Sequence, residues 1–183
     1  MIDVEYKITF FSNWHCGSGL AAGADIDELV IKDKDKLPYV PGRTIKGLLR
    51  EAATMLQQFS DVQDTTIKRL FGQGGDDDNF GCRSEASFTD ATISKEERAT
   101  IIDNKLEAHL YTSIASTAID DAGIALDHSL RKVETSVPCT LYGKVMNVNE
   151  DDVEVLTCAF SWIKRLGLGR NRGFGRCKIT KNN

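Results

Sequence analysis

Apolar and polar residues alternate from the start of the chain. Ile2, Val4, Tyr6, Ile8 and Phe10 fall on one side of residues 2–10, the two-residue period of a half-buried strand. The pattern breaks at 15–25, HCGSGLAAGAD, where three glycines and few large side chains predict a loop. Residues 28–32, ELVIK, predict a short strand, and Asp33 to Lys36 a turn. Over 43–59 the period becomes helical, with Ile45, Leu48, Leu49, Ala52, Leu56 and Phe59 on one face. Pro41-Gly42 marks the start of this helix.

Glycine, aspartate and asparagine over 72–83 predict a second loop, and residues 86–93 a strand. The stretch 94–135 has poor periodicity and many polar residues, which suits an inserted excursion such as a long hairpin. Residues 137–148 predict a strand kinked near Gly143. A second helix is expected over 152–166, with Val155, Leu156, Ala159, Phe160, Ile163 and Leu166 inward. A glycine-rich loop and a last strand near 174–180 follow. Strand, helix, strand, strand, helix, strand is the order of a ferredoxin-like α+β sheet with helices packed on one face. All 183 residues are expected to form a single domain, with 94–135 inserted in it.

No apolar run approaches the roughly 20 residues of a membrane span, and the alternating N-terminus suits neither a signal peptide nor an anchor. The expected compartment is the cytoplasm. Five separated cysteines form no CxxC pair, so a zinc knuckle and a thioredoxin-like site are disfavoured and reduced thiols are expected. The net charge of −4 hides an uneven distribution. Acid gathers at Asp76-Asp77-Asp78 and at Glu150 to Glu154, base near 43–50, 131–132 and 164–176. A local patch, not the average, sets a binding surface.

Three segments could carry chemistry. In GLGRNRGFGR at 167–176, four glycines stand among Arg170, Arg172 and Arg176. Glycines permit close backbone approach, and guanidinium forks suit phosphate oxygens, so the loop fits a nucleic-acid backbone; a helix cap and tight turn with solvated arginines fits equally. It lacks the GxxxxGK[ST] of a P-loop. Second, Arg43, Lys46 and Arg50 begin the first helix, where free N–H groups favour an anion; a solvated basic face is the plain alternative. Third, Asp25 and Asp27 flank Ile26. A carboxylate beside bound RNA can hold a divalent metal or handle a 2′-hydroxyl proton, although solvated loop acids read the same way. His15, His109 and His128 lie far apart, with neither HExxH nor GxSxG present; His15 opens the glycine loop.

Residues 14–53, WHCGSGLAAGADIDELVIKDKDKLPYVPGRTIKGLLREAA, together with SLRKVETSVP at 129–138 and GLGRNRGFGR, resemble the repeat-associated RNA-binding (RAMP) superfamily of CRISPR systems. The first stretch is similar to that of type III effector backbone subunits, where a histidine and glycine loop lead to I-D-x-x-V-I-[RK]-D, L-P-Y-[IV]-P-G and K-G. The resemblance implies a ferredoxin-like, RRM-like palm with an inserted thumb hairpin. It also implies antiviral defence as an endoribonuclease within a ribonucleoprotein, with copies of the chain stacked along guide CRISPR RNA beside other effector subunits. The thumb would displace a nucleotide of the target RNA, and a loop aspartate would cut there by in-line attack of the 2′-hydroxyl. That aspartate falls on Asp27, with Asp25 as the alternative. A divalent ion, Mg2+ or Mn2+, is implied with it, and Asp27 is its candidate ligand. The implied RNA-binding residues are His15, Gly17, Ser18, Gly19, Arg43, Lys46, Arg50, Arg131, Lys132, Gly169, Arg170, Arg172, Gly173 and Gly175.

Three other readings remain: a non-cutting RNA-binding subunit of the same complex, an endoribonuclease that processes CRISPR transcripts, and an enzyme unrelated to RNA on the same fold. The transcript-processing relatives usually carry two ferredoxin-like halves and a histidine base. A single palm argues against that reading, while His15 keeps it open.

Overall fold

The computed structural model describes residues 1–22, 25–74 and 81–182 of the protein. The acidic run Asp76-Asp77-Asp78, half of the predicted loop 72–83 and part of the loop 15–25 therefore lie outside the described residues.

The alternating N-terminus is strand β1 (Ile2–Phe10), with Val4, Tyr6, Ile8 and Phe10 as its buried row. Ile2 stays exposed, because the register against the neighbouring strand shifts between Ile2 and Val4. Helix α1 (Gly42–Leu56) follows, then α2 (Asp64–Phe71), β2 (Ser87–Phe88) and α3 (Lys95–Asp103). Next come β3 (Tyr111–Ser116), β4 (Arg131–Ser136), β5 (Thr140–Val148), α4 (Val153–Trp162) and β6 (Cys177–Lys181).

The sheet order is β2-β5-β1-β6, with every pairing antiparallel. Setting aside the inserted elements, β1-α1-β2-β5-α4-β6 in this order is the ferredoxin-like palm. Helices α1 and α4 pack on each other and α4 on β6. They bury Ile45, Leu49 and Ala52 from one helix and Leu156, Ala159 and Phe160 from the other. Each large buried aliphatic or aromatic side chain contributes about 1.5–3 kcal/mol, so this apolar seam holds the helices to the sheet.

Several expectations are corrected. Helix α1 ends at Leu56, and Phe59 lies beyond it, exposed. Gly143 kinks nothing: β5 runs straight through it, and a Cβ there would stand 2.4 Å from the Tyr6 hydroxyl, so glycine makes room for a buried ring. Residues 28–32 form isolated bridges, Glu28 to Val133, Val30 to Gly17 and Lys32 to Pro38, instead of a strand. The predicted strand 86–93 shrinks to β2 plus bridges at Ala91 and Thr92. Helix α4 ends at Trp162, since Ile163 turns extended, and Val155 is only partly buried.

Helices α2 and α3 were not expected. Arg69 of α2 grips the buried Asp152 carboxylate through two bonds, at 2.6 and 2.5 Å, which ties α2 to the turn before α4. Helix α3 buries none of its residues. It is capped by Ser94, which accepts from Glu97 N at 3.2 Å, and anchored by Arg98 on Asp33 and Asp35. Between β2 and β5, residues 89–139 carry α3 and the two-stranded antiparallel hairpin β3–β4.

Candidate nucleic-acid interface

The glycine-rich loop is docked onto the segment after β1. Leu168 N donates to His15 O at 2.9 Å and Gly175 N to Asn13 O at 2.8 Å. Gly167 has φ +93°, and a Cβ on it would lie 2.1 Å from His15 O, so this close approach of two backbones requires glycine. The tip is a single 3-10 turn, Arg170–Arg172, between Gly169 and Gly173 in left-handed conformations. Both arginines are exposed. The hairpin faces this loop across a cleft of about 520 Å³, lined among others by His15, Glu28, Arg131, Arg170, Arg172 and Phe174. Among the described residues, none of its three arginines forms an ion pair with a carboxylate.

His15 is 2% exposed at the cleft floor. Its Nδ1 lies 2.6 Å from the Glu134 carbonyl oxygen, which can only accept, so Nδ1 carries a proton. Nε2 has no hydrogen-bond partner, and the nearest carboxylate oxygen, Glu28 Oε2, is 3.6 Å away. A Cβ at Gly17 would stand 3.1 Å from Nε2, so that glycine keeps the nitrogen uncrowded. Glu134 organises this floor further: its Oε2 accepts from Val30 N at 3.0 Å and its Oε1 from Lys32 Nζ at 2.8 Å. The same Lys32 ammonium sits 3.9 Å above the Tyr111 ring.

Asp27 is exposed and locked to strand β4. Its N–H donates to Lys132 O at 2.9 Å, and its Oδ2 accepts from Lys132 N at 2.7 Å. Neighbouring side chains of extended backbone point to opposite sides. Glu28 thus lines the cleft, while Asp27 and Lys132 are not among its lining residues. Asp25 is exposed, with its N–H on Ala22 O at 3.3 Å. Ser18 Oγ donates to Leu29 O and accepts from Leu20 N, both at 3.1 Å, so it braces its own loop. Gly19 has φ +78° and open space around it.

The start of α1 has a partner of its own. Gly42 N, at the helix N-terminus, donates to Asp90 Oδ1 at 2.8 Å, so the chain's own carboxylate occupies one of the donors considered for an external anion. Lys46 Nζ donates to Ser84 Oγ at 2.7 Å, away from the cleft. Burial pushes the Cys16 thiol up, while the Thr44 hydroxyl and the Arg43 guanidinium pull it down; Arg43 therefore lies near the His15 segment. Arg50 is exposed on the helix. His15, residues 167–172 and Phe174 thus converge with the hairpin, whereas Arg43, Lys46 and Arg50 do not line that cleft.

Sequence reasoning left Glu28, Glu134, Thr135 and Phe174 unassigned. The signal available was that each sits inside, or one residue from, a segment already singled out. Among the described residues no three His, Cys, Asp or Glu side chains gather as a ready-made metal cage, and no helix is long and apolar enough to cross a membrane.

A ferredoxin-like palm with an inserted hairpin and an arginine–glycine loop, enclosing a basic cleft, defines an α+β domain suited to a polyanion. The chain belongs to the RAMP superfamily, whose family model matches residues 7–178. No curated protein matches it by sequence. Its fold is similar to that of a chain in the cryo-EM structure of the type III-B Cmr-β complex bound to cognate target RNA, with TM-score 0.74 and 12% identity over 99% of this chain and 97% of that one. A chain of the apo Cmr-β complex matches with TM-score 0.71 and 12% identity, over 98% and 97%.

Proposed function

We propose that the protein is an RNA-gripping backbone subunit of a type III CRISPR effector in the cytoplasm, assembled with guide RNA, further subunits and copies of itself. One observation carries this reading: the cleft that unites His15 with the unpaired Arg131, Arg170 and Arg172. Three guanidinium groups without carboxylate partners, on two facing elements, suit successive phosphates of one strand. Beyond the paired part of the hairpin, residues 117–130 expose Ile119, Ile124, Leu126 and Leu130. In this reading they form the apolar wedge of a thumb that pushes a target nucleotide out of the duplex.

Asp27 is the proposed cutting residue. Lys132 N fixes one of its carboxylate oxygens and leaves the other for a Mg2+ or Mn2+ ion that phosphate oxygens and waters would complete. Such an ion supplies Lewis-acid stabilisation of the scissile phosphate. The chain's own part is to hold the nucleotide so that its 2′-hydroxyl lies in line with the phosphorus. One observation favours the non-cutting alternative: the backbone bond to Lys132 gives Asp27 a structural job in holding strand β4, outside the lining of the cleft.

Asp27→Ala separates the two in the assembled complex. Guide binding is expected to persist and target cutting to stop; undiminished cutting would remove Asp27 as the catalyst. For the interface, Arg170→Ala with Arg172→Ala should weaken RNA binding. The slope of log K against log salt should become shallower by about one for each phosphate no longer neutralised, and an unchanged slope would take the loop out of the interface.

A further inference from the structure

We infer that His15 and Glu28 form a cation-holding pair on the cleft floor, distinct from Asp27 and selective for Mn2+ over Mg2+. The Glu134 carbonyl fixes the proton on Nδ1, which leaves the Nε2 of the neutral ring as a lone pair. That atom is buried without a partner, a state that costs about 1–3 kcal/mol unless something occupies it. The group nearest to it in charge is another acceptor, the Glu28 carboxylate at 3.6 Å. With the ring neutral, two acceptors face each other, and a positive centre between them satisfies both.

The spacing decides which kind. A shared proton would draw nitrogen and oxygen to about 2.8 Å. Two ligand atoms each about 2.1 Å from one metal ion stand roughly 3.0 Å apart at octahedral angles and about 3.4 Å at tetrahedral ones. The observed 3.6 Å is wider than a hydrogen bond and nearer to the spacing of two atoms sharing a metal ion. A ring N–H held by a backbone carbonyl is also the usual support of a metal-binding histidine, and a mixed imidazole–carboxylate set favours Mn2+ over Mg2+.

The pair is half of a site. Arg131, Arg170 and Arg172 line the same cleft and repel a bare cation, so phosphate oxygens of bound RNA, with water, are the natural remaining ligands. In that respect the inference rests on the RNA reading above. By linkage, RNA and Mn2+ then strengthen each other's binding.

The test is paramagnetic broadening of the His15 ring signals in NMR spectra of the full chain, titrated with MnCl2 alone and then with single-stranded RNA present. Selective broadening at His15 is expected in the millimolar range typical of weak sites, moving to lower Mn2+ when RNA is added. Glu28→Gln, whose side chain is half exposed, should weaken it at least about tenfold, and Asp27→Asn should leave it in place. Absent or non-selective broadening, broadening indifferent to Glu28→Gln, or broadening lost in Asp27→Asn would each overturn the assignment. The salt slope of RNA binding, measured in EDTA, reports on the RNA reading separately, so either can fail without the other.

Discussion

Replacing Gly167 by alanine, with Gly173→Ala as its control, isolates the reason the arginine loop sits on the cleft. Both glycines have positive φ, +93° and +89°, so alanine at either pays the left-handed penalty of about 1–2 kcal/mol. They differ in surroundings. Around Gly173 no atom lies within 4 Å of the added Cβ, whereas at Gly167 the Cβ would meet His15 O at 2.1 Å and its carbon at 3.0 Å. Carbon and oxygen do not normally approach closer than about 3.3 Å, so two backbone segments must separate by about 1 Å. Overpacking of that kind adds about 1–3 kcal/mol. Gly167→Ala should therefore cost about 2–5 kcal/mol in total and Gly173→Ala about 1–2. At about 2–4 °C per kcal/mol for a chain of this size, the melting temperature should fall by roughly 4–20 °C in the first and 2–8 °C in the second. Thermal unfolding followed by circular dichroism measures both. RNA affinity at low temperature, where both variants are folded, should drop further in Gly167→Ala, because the Leu168 N to His15 O bond is broken. Equal melting temperatures in the two variants would refute the idea that backbone apposition at His15 fixes the loop.

Asp152→Ala should destabilise the chain by about 1–3 kcal/mol, because Arg69 loses both hydrogen bonds to that one carboxylate while remaining partly solvated itself; urea unfolding checks this, and a loss below about 0.5 kcal/mol would contradict it. Glu134→Gln leaves one acceptor for two donors, Val30 N and Lys32 Nζ, so stability should fall by about 1–3 kcal/mol. Hydrogen exchange at the Val30 amide should then quicken. Burial pushes the Cys139 and Cys177 thiols up to about 12 from 9.0. At pH 8 each is then about a thousandfold poorer in thiolate than an ordinary cysteine. Mass spectrometry after iodoacetamide treatment should show the exposed Cys82 and Cys158 labelled first, with labelling of Cys139 and Cys177 rising as pH increases.

The palm was legible because its elements have strong periods. β1 alternates cleanly, and α1 and α4 place Leu49, Ala52, Leu156 and Phe160 at helical spacing. What escaped was held by tertiary partners. Helix α3 has no apolar face and exists through its cap and Arg98, a charge link that spans 65 residues of sequence and leaves no local mark. The bridges at Glu28, Val30 and Lys32 replace a strand because each pairs with a different segment. Composition marked the arginine loop as a ligand-binding or capping element without deciding between them. The structure gives its glycines a docking role at Gly167 while leaving Arg170 and Arg172 exposed. The start of α1 holds a similar long-range link: the carboxylate that accepts from Gly42 N comes from Asp90, across the fold.

The hairpin and the cleft are one mechanical unit. A two-stranded ribbon alone is marginal in water. β4 is held by Trp14 pairing with Ser136, by Glu28 pairing with Val133, by Asp27 on Lys132 and by the His15 ring on Glu134. The residues that join hairpin to palm are thus the residues on and beside the cleft floor. A polyanion drawn to Arg131 on the hairpin and to Arg170 and Arg172 on the loop closes a bridge across that joint. It must stiffen the hairpin, because a ligand that binds only the docked arrangement raises its population by mass action. Loss of binding in a His15, Asp27 or Glu28 variant therefore has two sources, a missing ligand atom and a loosened hairpin. Exchange rates of the β3–β4 amides tell them apart: a missing ligand atom leaves those amides protected, and a loosened joint does not.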